Sequence, residues 1–216
     1  MSNGLIIFGR RSSHYTRMTR IFAEELGLAY GFTPIFDLMS HNSETFGGNP
    51  ALKLPILKMG DEFIYGSVNI CRALSRVVEG RLRIIWPEDV DTPLLMNAHE
   101  VLAHAMAAQV EVVVHEIVEK RPEDTASKKR RQSLMNCLAW LDANLDGIFA
   151  GLLERDLSLF EVGLFCLVTH LPFRNPLVLP VMPRLQAFEA DFGQRPSAQA
   201  TTYRFDKPET TEGLGG

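Results

Sequence analysis

A proline set inside an apolar run places the tightest limit on how this chain can fold. Residues 49–67 read NPALKLPILKMGDEFIYGS, with Pro55 between Leu54 and Ile56. A proline in strand position has no N–H to give to a ladder, so it marks an edge or a strand start. Gly60 and Asp61 then separate this run from a second one, Phe63-Ile64-Tyr65, which is the spacing of a tight β-hairpin. Gly66-Ser67 follows and opens a helical pattern. A strand edge carries unpaired backbone groups that can hydrogen-bond an extended peptide. A serine at a helix start can hold a carboxylate. The segment therefore predicts a cradle for a small acidic peptide.

The flanking residues extend this into a small α/β unit. Leu5-Ile6-Ile7-Phe8 reads as a buried strand stopped by Gly9. Residues 14–26 repeat at helical spacing, with Tyr15, Met18, Ile21, Phe22 and Leu26 on one face and Gly27 beyond the last apolar position. Residues 29–36 read as a second strand despite Pro34, and residues 41–48 as a polar, glycine-rich loop with at most a short helix. After the hairpin, residues 68–78 are helical again. The order β-α-β-(α)-β-β-α permits one parallel pair and an antiparallel hairpin.

Strand signals fade after Arg81, and residues 83–87 read as a packed linker. From Pro93 a long helix keeps one apolar stripe as far as Arg121-Pro122. A second helix covers residues 127–149. A third, 158–170, is apolar on nearly every side and is expected at the centre of a bundle. A fourth covers 182–192. The predicted fold class is α/β plus all-α, with an N-terminal domain at 1–80, an all-helical domain at 93–203 and a flexible polar tail at 204–216.

Composition narrows the function classes. The 216 residues suffice for one large domain or two modest ones. A net charge of -4 argues against nucleic acid as a partner. No uninterrupted apolar run reaches the ~18–20 residues of a bilayer crossing, and the N-terminus lacks a signal-peptide pattern, so a membrane partner is not expected and the expected location is cytoplasmic. Cys71, Cys137 and Cys166 are too few and too scattered for a disulfide framework, and read as small buried thiols. The run Lys128-Lys129-Arg130-Arg131 reads as a solvated face. His99, His104 and His115 share one helix, but the first two are five apart and off a common face, so no metal is expected there.

Three motifs together resemble the glutathione transferase family, in particular its serine-type bacterial branch. They are Asn49-Pro50 with Lys53-Leu54-Pro55-Ile56-Leu57, the Gly66-Ser67 pair, and Ser158-Leu159-Phe160-Glu161. The third has a reason independent of ancestry. Ser158 can accept from the Glu161 backbone N–H while the Glu161 side chain returns a bond to the Ser158 N–H, capping a helix whose end cannot reach water.

The resemblance covers nearly the whole chain and implies a thioredoxin-like domain followed by a helical bundle. It also implies glutathione as co-substrate, a small-molecule electrophile and a homodimer. On this reading Leu54 pairs through its backbone with the cysteinyl unit of glutathione, Pro55 is cis, and Ser67 receives the γ-glutamyl carboxylate. Lys53 lies near the glycyl carboxylate or is simply solvated. The family has an acidic residue where this chain has Gly66, so one polar contact at the glutamyl end is missing.

Such enzymes must favour the thiolate of glutathione, because an unperturbed thiol titrates near ~8.5. The segment Ser13…Arg17…Arg20 resembles the serine-bearing start of the family's first helix. Ser13 is the implied hydroxyl donor, with Ser12 next and Tyr15 weaker; a plain helix cap is the competing reading for either serine. Arg10, Arg11 and Arg17 are candidates to stabilise a thiolate or receive an anion. No cysteine lies in this loop, which disfavours exchange through a protein thiol.

Overall fold

The structure, a computed structural model, describes residues 4–78, 80 and 82–207. These form two compact units, one reaching up to Ser75 and taking in the segment from Thr201, the other running from Arg76 to Ala200.

In the first unit, β1 (Leu5–Gly9), α1 (His14–Glu25), β2 (Gly31–Pro34), β3 (Ile56–Met59), β4 (Glu62–Tyr65) and α2 (Ser67–Val77) follow in chain order. The sheet runs β2-β1-β3-β4, with β1 and β2 parallel and the other pairs antiparallel. This is the thioredoxin-like sheet domain that the resemblance implies, with the parallel pair and the hairpin that the order of elements permits. β2 is shorter than residues 29–36. Its last residue, Pro34, lies opposite Gly9, where β1 ends and leaves no strand to pair with. Gly60 has φ +63 and Asp61 a negative φ, which makes the hairpin a type II′ turn with glycine in its first central position. Successive residues Ile56 and Leu57 are both buried, so the sheet is covered on both faces there. On one side Ile56 packs with Ile35 and Phe46, surrounded by Phe8, Leu52, Leu54 and Tyr65.

Met18, Ile21 and Phe22 of α1, and Leu26 at its cap, are buried as the stripe predicts, while Tyr15 is only half-buried. Arg17 and Arg20 are buried too. The reason lies at the far end of the chain. Thr201 accepts from Arg17 Nε at 3.4 Å, and the Arg17 guanidinium lies 4.4 Å from the centre of the Tyr203 ring. The tail expected to be flexible from residue 204 is held at Asp206, which is ion-paired to Arg11 at 2.7 Å. Positions 208–216 of that tail lie outside the described residues.

The second unit is helical: α3 (Pro93–Val113), a π-helical turn (Val114–Val118), α4 (Thr125–Gly151), α5 (Leu159–Arg174), α6 (Pro183–Phe192) and α7 (Pro196–Ala200). A two-residue parallel pair, β5 (Ile84–Ile85) and β6 (Leu157–Ser158), leads into α5. α5 packs on α3 and α6 and is buried over most of its length, as its all-round apolar pattern predicts. The helical run Pro93–Val118 has the length and composition of a membrane-crossing segment, although no uninterrupted apolar run of that length exists in it. Its alanines and valines raise the average between polar positions, and its inward face packs on α4 and α5. The basic run is tied down by acids. Arg131 grips Glu116 with two bonds of 2.6 and 2.7 Å, and Arg130 pairs with Glu111.

Ser158 caps α5 and accepts from the Glu161 N–H at 3.1 Å. The returning half of the expected box is replaced. The Glu161 carboxylate accepts the Ser158 hydroxyl at 2.7 Å and two bonds from Arg155, also at 2.7 Å. Ser158 lies in the β5–β6 pair, and its hydroxyl rather than its amide meets the carboxylate.

Two stability outcomes follow from this packing. Ser158→Ala removes a buried cap and one acceptor-donor link to Glu161, and should lower stability by about 1–2 kcal/mol. That would appear as a lower urea midpoint at unchanged slope. Gly66, at the start of α2, has φ +84, and an added Cβ would meet nothing within 4 Å. Gly66→Ala should therefore lower stability by about 1–2 kcal/mol through backbone strain alone. A calorimetric melt checks this, and an unchanged midpoint would contradict it.

Candidate functional site

The cross-sheet register gathers the predicted residues at one end of the sheet. Phe8 lies opposite Ile56, and Ile56 opposite Tyr65. From Phe8 the chain passes through Gly9 and the 10–13 turn into α1. It reaches Ile56 through Lys53, Leu54 and Pro55. From Tyr65 it passes through Gly66 to Ser67. All seven candidates, Ser12, Ser13, Lys53, Leu54, Pro55, Gly66 and Ser67, sit on these three connections.

The Leu54–Pro55 peptide bond is cis. The Pro55 carbonyl accepts from the Gly66 N–H at 3.4 Å, linking the second connection to the third. The backbone N–H and C=O of Leu54 have no hydrogen-bond partner among the described residues. One residue earlier, the Lys53 carbonyl accepts from the Asn49 side chain at 2.9 Å, while the same side chain accepts from the Ala51 N–H at 3.0 Å. Buried Asn49 thus holds the loop that presents Leu54, a role that sequence reading did not assign to it. A free amide and carbonyl on one residue beside a strand start are what an extended peptide pairs with. The Lys53 side chain is exposed and without an acidic partner among the described residues.

Ser67 is the first residue of α2, and its cap is Gly66, whose carbonyl accepts from the Ile70 N–H at 3.0 Å. Ser67 is therefore not the cap that the competing reading made it. The residue is 8% exposed, and its hydroxyl has no partner among the described residues. The first amides of a helix also lack internal partners and carry partial positive charge, so this end favours a carboxylate.

Ser13 is the cap of α1. Its Oγ accepts from the Thr16 N–H at 3.3 Å, and its own N–H donates to the Arg10 carbonyl at 3.0 Å. The competing cap reading is realised, yet it leaves the hydroxyl proton uncommitted, because a hydroxyl accepts and donates at once. Ser12 is half-buried beside it. Burial pushes the Tyr15 phenol above its ordinary value, which keeps it protonated. The arginines are engaged internally. Arg10 donates from Nη1 to the Ile35 carbonyl at 3.1 Å and lies 5.2 Å from the Phe36 ring centre; Arg11 pairs with Asp206; Arg17 reaches Thr201 and Tyr203. They build the loop before they can serve a ligand.

A half-open cavity of about 620 Å³ is lined by Phe8, Thr33, Phe36, Thr45, Phe63 and Tyr65 among others, and so shares Phe8 and Tyr65 with the strand ends that lead into the candidate site. None of the seven candidates lines it. An apolar cavity is the usual first choice for a small-molecule site. A peptide that binds by strand addition needs free backbone groups instead of enclosed volume, and those are at Leu54. Among the described residues no three His, Cys, Asp or Glu side chains are grouped to hold a metal ion.

Comparison with known proteins bears on the fold that carries these residues. Residues 12–77 match the family model described as Glutathione S-transferase, N-terminal domain. A search of curated sequences returns no significant match. Among solved structures, a glutathione transferase family member from Pseudomonas fluorescens with bound glutathione superposes with a TM-score of 0.71 at 21% identity, covering 93% of this chain and 100% of that one. A theta class glutathione S-transferase from Xanthomonas axonopodis pv. citri, also with glutathione bound, gives 0.67 at 22% identity, covering 94% and 98%. A glutathione S-transferase from Methylobacillus flagellatus gives 0.70 at 19% identity, covering 93% and 100%. The seven candidates thus lie in a segment matching the glutathione S-transferase N-terminal domain, and the chain as a whole has the glutathione transferase fold.

Proposed function

We propose that this chain is a glutathione transferase of the serine type, which activates the thiol of glutathione and transfers it to an apolar electrophile. The observation that supports this reading is the unpartnered N–H and C=O of Leu54, on a connection at the same end of the sheet as those that carry the capping hydroxyl of Ser13 and the largely buried Ser67. The cysteinyl unit of glutathione pairs with the Leu54 backbone next to Pro55. Its γ-glutamyl carboxylate rests on Ser67 and the first amides of α2, and Lys53 serves the glycyl carboxylate.

The chemistry then needs one donor at the sulfur. A hydrogen bond to a charged acceptor contributes about 1.5–3 kcal/mol. Since one pKa unit is about 1.4 kcal/mol, the Ser13 hydroxyl lowers a thiol from ~8.5 to about 6.5–7.5. The thiol proton leaves to solvent. The thiolate attacks the electrophilic carbon, a C–S bond forms, and the leaving group departs with its electron pair. The same reading carries a cytoplasmic location and a homodimer; sedimentation of the purified protein tests the homodimer.

A second reading, a non-catalytic ligand- or protein-binding member, is favoured by Gly66, where the family's acidic side chain is missing and open space remains. A glutathione-dependent isomerase, reductase or peroxidase on the same scaffold is the variant within the enzymes.

Retention on immobilised glutathione, followed by turnover of a dinitrophenyl halide, separates these classes. Binding with turnover supports the transferase, binding alone the carrier, and neither the interaction module. Ser13→Ala should lower kcat near neutral pH by about 10–10²-fold, the loss of thiolate that a rise of one to two pKa units brings, with little change in glutathione affinity; equal activity would remove Ser13 from its role. Ser67→Ala should instead raise the KM for glutathione. Tyr15→Phe should leave turnover nearly unchanged. It should also alter the alkaline limb of stability. The folded state holds the phenolic proton more tightly than the unfolded chain, so this contribution is present below the ordinary tyrosine pKa near 10 and is lost as pH rises through the higher folded value. Tyr15→Phe should therefore lose less stability than the unaltered protein in that window, measured by urea titration at each pH.

A further inference from the structure

The hydroxyl of Ser13 is aimed by a turn, and that turn is held from the opposite end of the chain. Residues 10–13 close through the Ser13 N–H to Arg10 carbonyl bond of 3.0 Å. The Arg10 N–H donates to Thr16 Oγ1 at 3.4 Å, which ties the turn to the helix it opens. The Arg11 N–H has no such neighbour nearby in sequence. It donates to Asp206 Oδ2 at 2.8 Å, across 195 positions, while Arg11 Nη1 donates to Oδ1 of the same carboxylate at 2.7 Å. Arg10 Nε stands 3.6 Å from Oδ2. The Asp206 side chain is 1% exposed. The Arg11 guanidinium lies over Phe32 of β2, 4.0 Å from the ring centre, so the clamp is anchored to the sheet as well.

We propose that Asp206 is a positioning residue for Ser13: its carboxylate fixes the Arg11 amide and side chain, and so sets where the Ser13 hydroxyl points. The proposal rests on the reading of Ser13 as the donor to the glutathione thiolate. The geometry is bidentate and charge-assisted on one residue, the combination that gives most directional control. The carboxylate itself is withdrawn from water, while the Arg11 side chain keeps 23% of its surface exposed. Without the carboxylate, the Arg11 N–H and guanidinium lose their acceptor and the Arg10 guanidinium loses a counter-charge 3.6 Å away, so the turn must rearrange. A hydroxyl displaced by part of an ångström still caps α1 but no longer meets the sulfur in line, and misplacement on the scale of 1 Å costs up to about a hundredfold in rate.

The test uses the full chain with Asp206→Ala, Asp206→Asn, Ser13→Ala and the double variant Ser13→Ala/Asp206→Ala. Far-ultraviolet dichroism confirms folding. Amide exchange at Arg11 and Ser13 reports the clamp, and a pH titration of bound glutathione by thiolate absorbance reports its consequence. Asp206→Ala should speed exchange at these two amides, raise the thiol pKa by about one unit and lower kcat/KM about tenfold or more. Asp206→Asn keeps an acceptor for the Arg11 N–H and should recover most of both effects; if Asp206→Ala fails to fold, this variant carries the test by showing a smaller rise of the same sign. In the Ser13→Ala background, removal of Asp206 should add little, because the group it positions is already gone. Unchanged exchange in Asp206→Ala overturns the clamp. A thiol pKa that moves with Ser13→Ala but not with either Asp206 variant overturns the positioning role and leaves Ser13 in place. Additive effects in the double variant show a general structural role and overturn the proposal as well. A protein that binds no glutathione, or whose thiol titration ignores Ser13→Ala, overturns the proposed function itself and this inference with it.

Discussion

The lateral register Phe8–Ile56–Tyr65 is the constraint on which the candidate site depends. Side chains alternate across a sheet with a period of two, so a slip of one residue in β3 would turn Ile56 away from the Ile35 and Phe46 cluster and carry Leu57 out of its buried position. The same slip would shift Leu54 and Pro55 relative to the start of α1. The hairpin sets the other half of the register. With Gly60 at positive φ, the turn closes in two residues, Met59 meets Glu62 and Tyr65 meets Ile56. Gly66 then stands where its N–H reaches the Pro55 carbonyl.

Around this frame the loops are held by unrelated side chains. Backbone polar groups withdrawn from water must find partners, and here those partners are Thr16 for Arg10, Asp206 for Arg11 and Asn49 for Lys53 and Ala51. The amide and carbonyl of Leu54 remain open between Lys53, whose carbonyl Asn49 holds, and the cis Pro55. A ligand that pairs with them meets backbone already in position and gives up little ordering entropy in the protein.

Periodicity carried much of the architecture. The stripe of Met18, Ile21, Phe22 and Leu26, the all-round apolar α5 and the Gly60-Asp61 turn are local patterns, and each appears in the structure at the expected place. Ser158 was legible as a cap because capping is set within three residues. The fate of Glu161 was not, because Arg155 competes for its carboxylate and the serine lies in a strand pair. α7 and the Asp124 cap of α4 escaped notice, the first being only five residues long and the second lying in a charged stretch without an apolar period. Arg10, Arg11 and Arg17 read from sequence as candidates to stabilise a thiolate or receive an anion, and only the folded chain supplies their partners Ile35, Thr201, Tyr203 and Asp206.

What the amino-acid order determined by itself was the set of local elements and the residue types poised at their ends: a proline at a strand start, a glycine before a helix, serines at helix openings. Those follow from propensity, capping and turn chemistry over a few residues. Only the tertiary structure decided which backbone groups stay open, that Gly66 rather than Ser67 caps α2, and that Asp206 reaches Arg11 across 195 positions. Hydrogen bonds at that separation leave no period in a sequence, because they depend on where the whole chain has brought two points together.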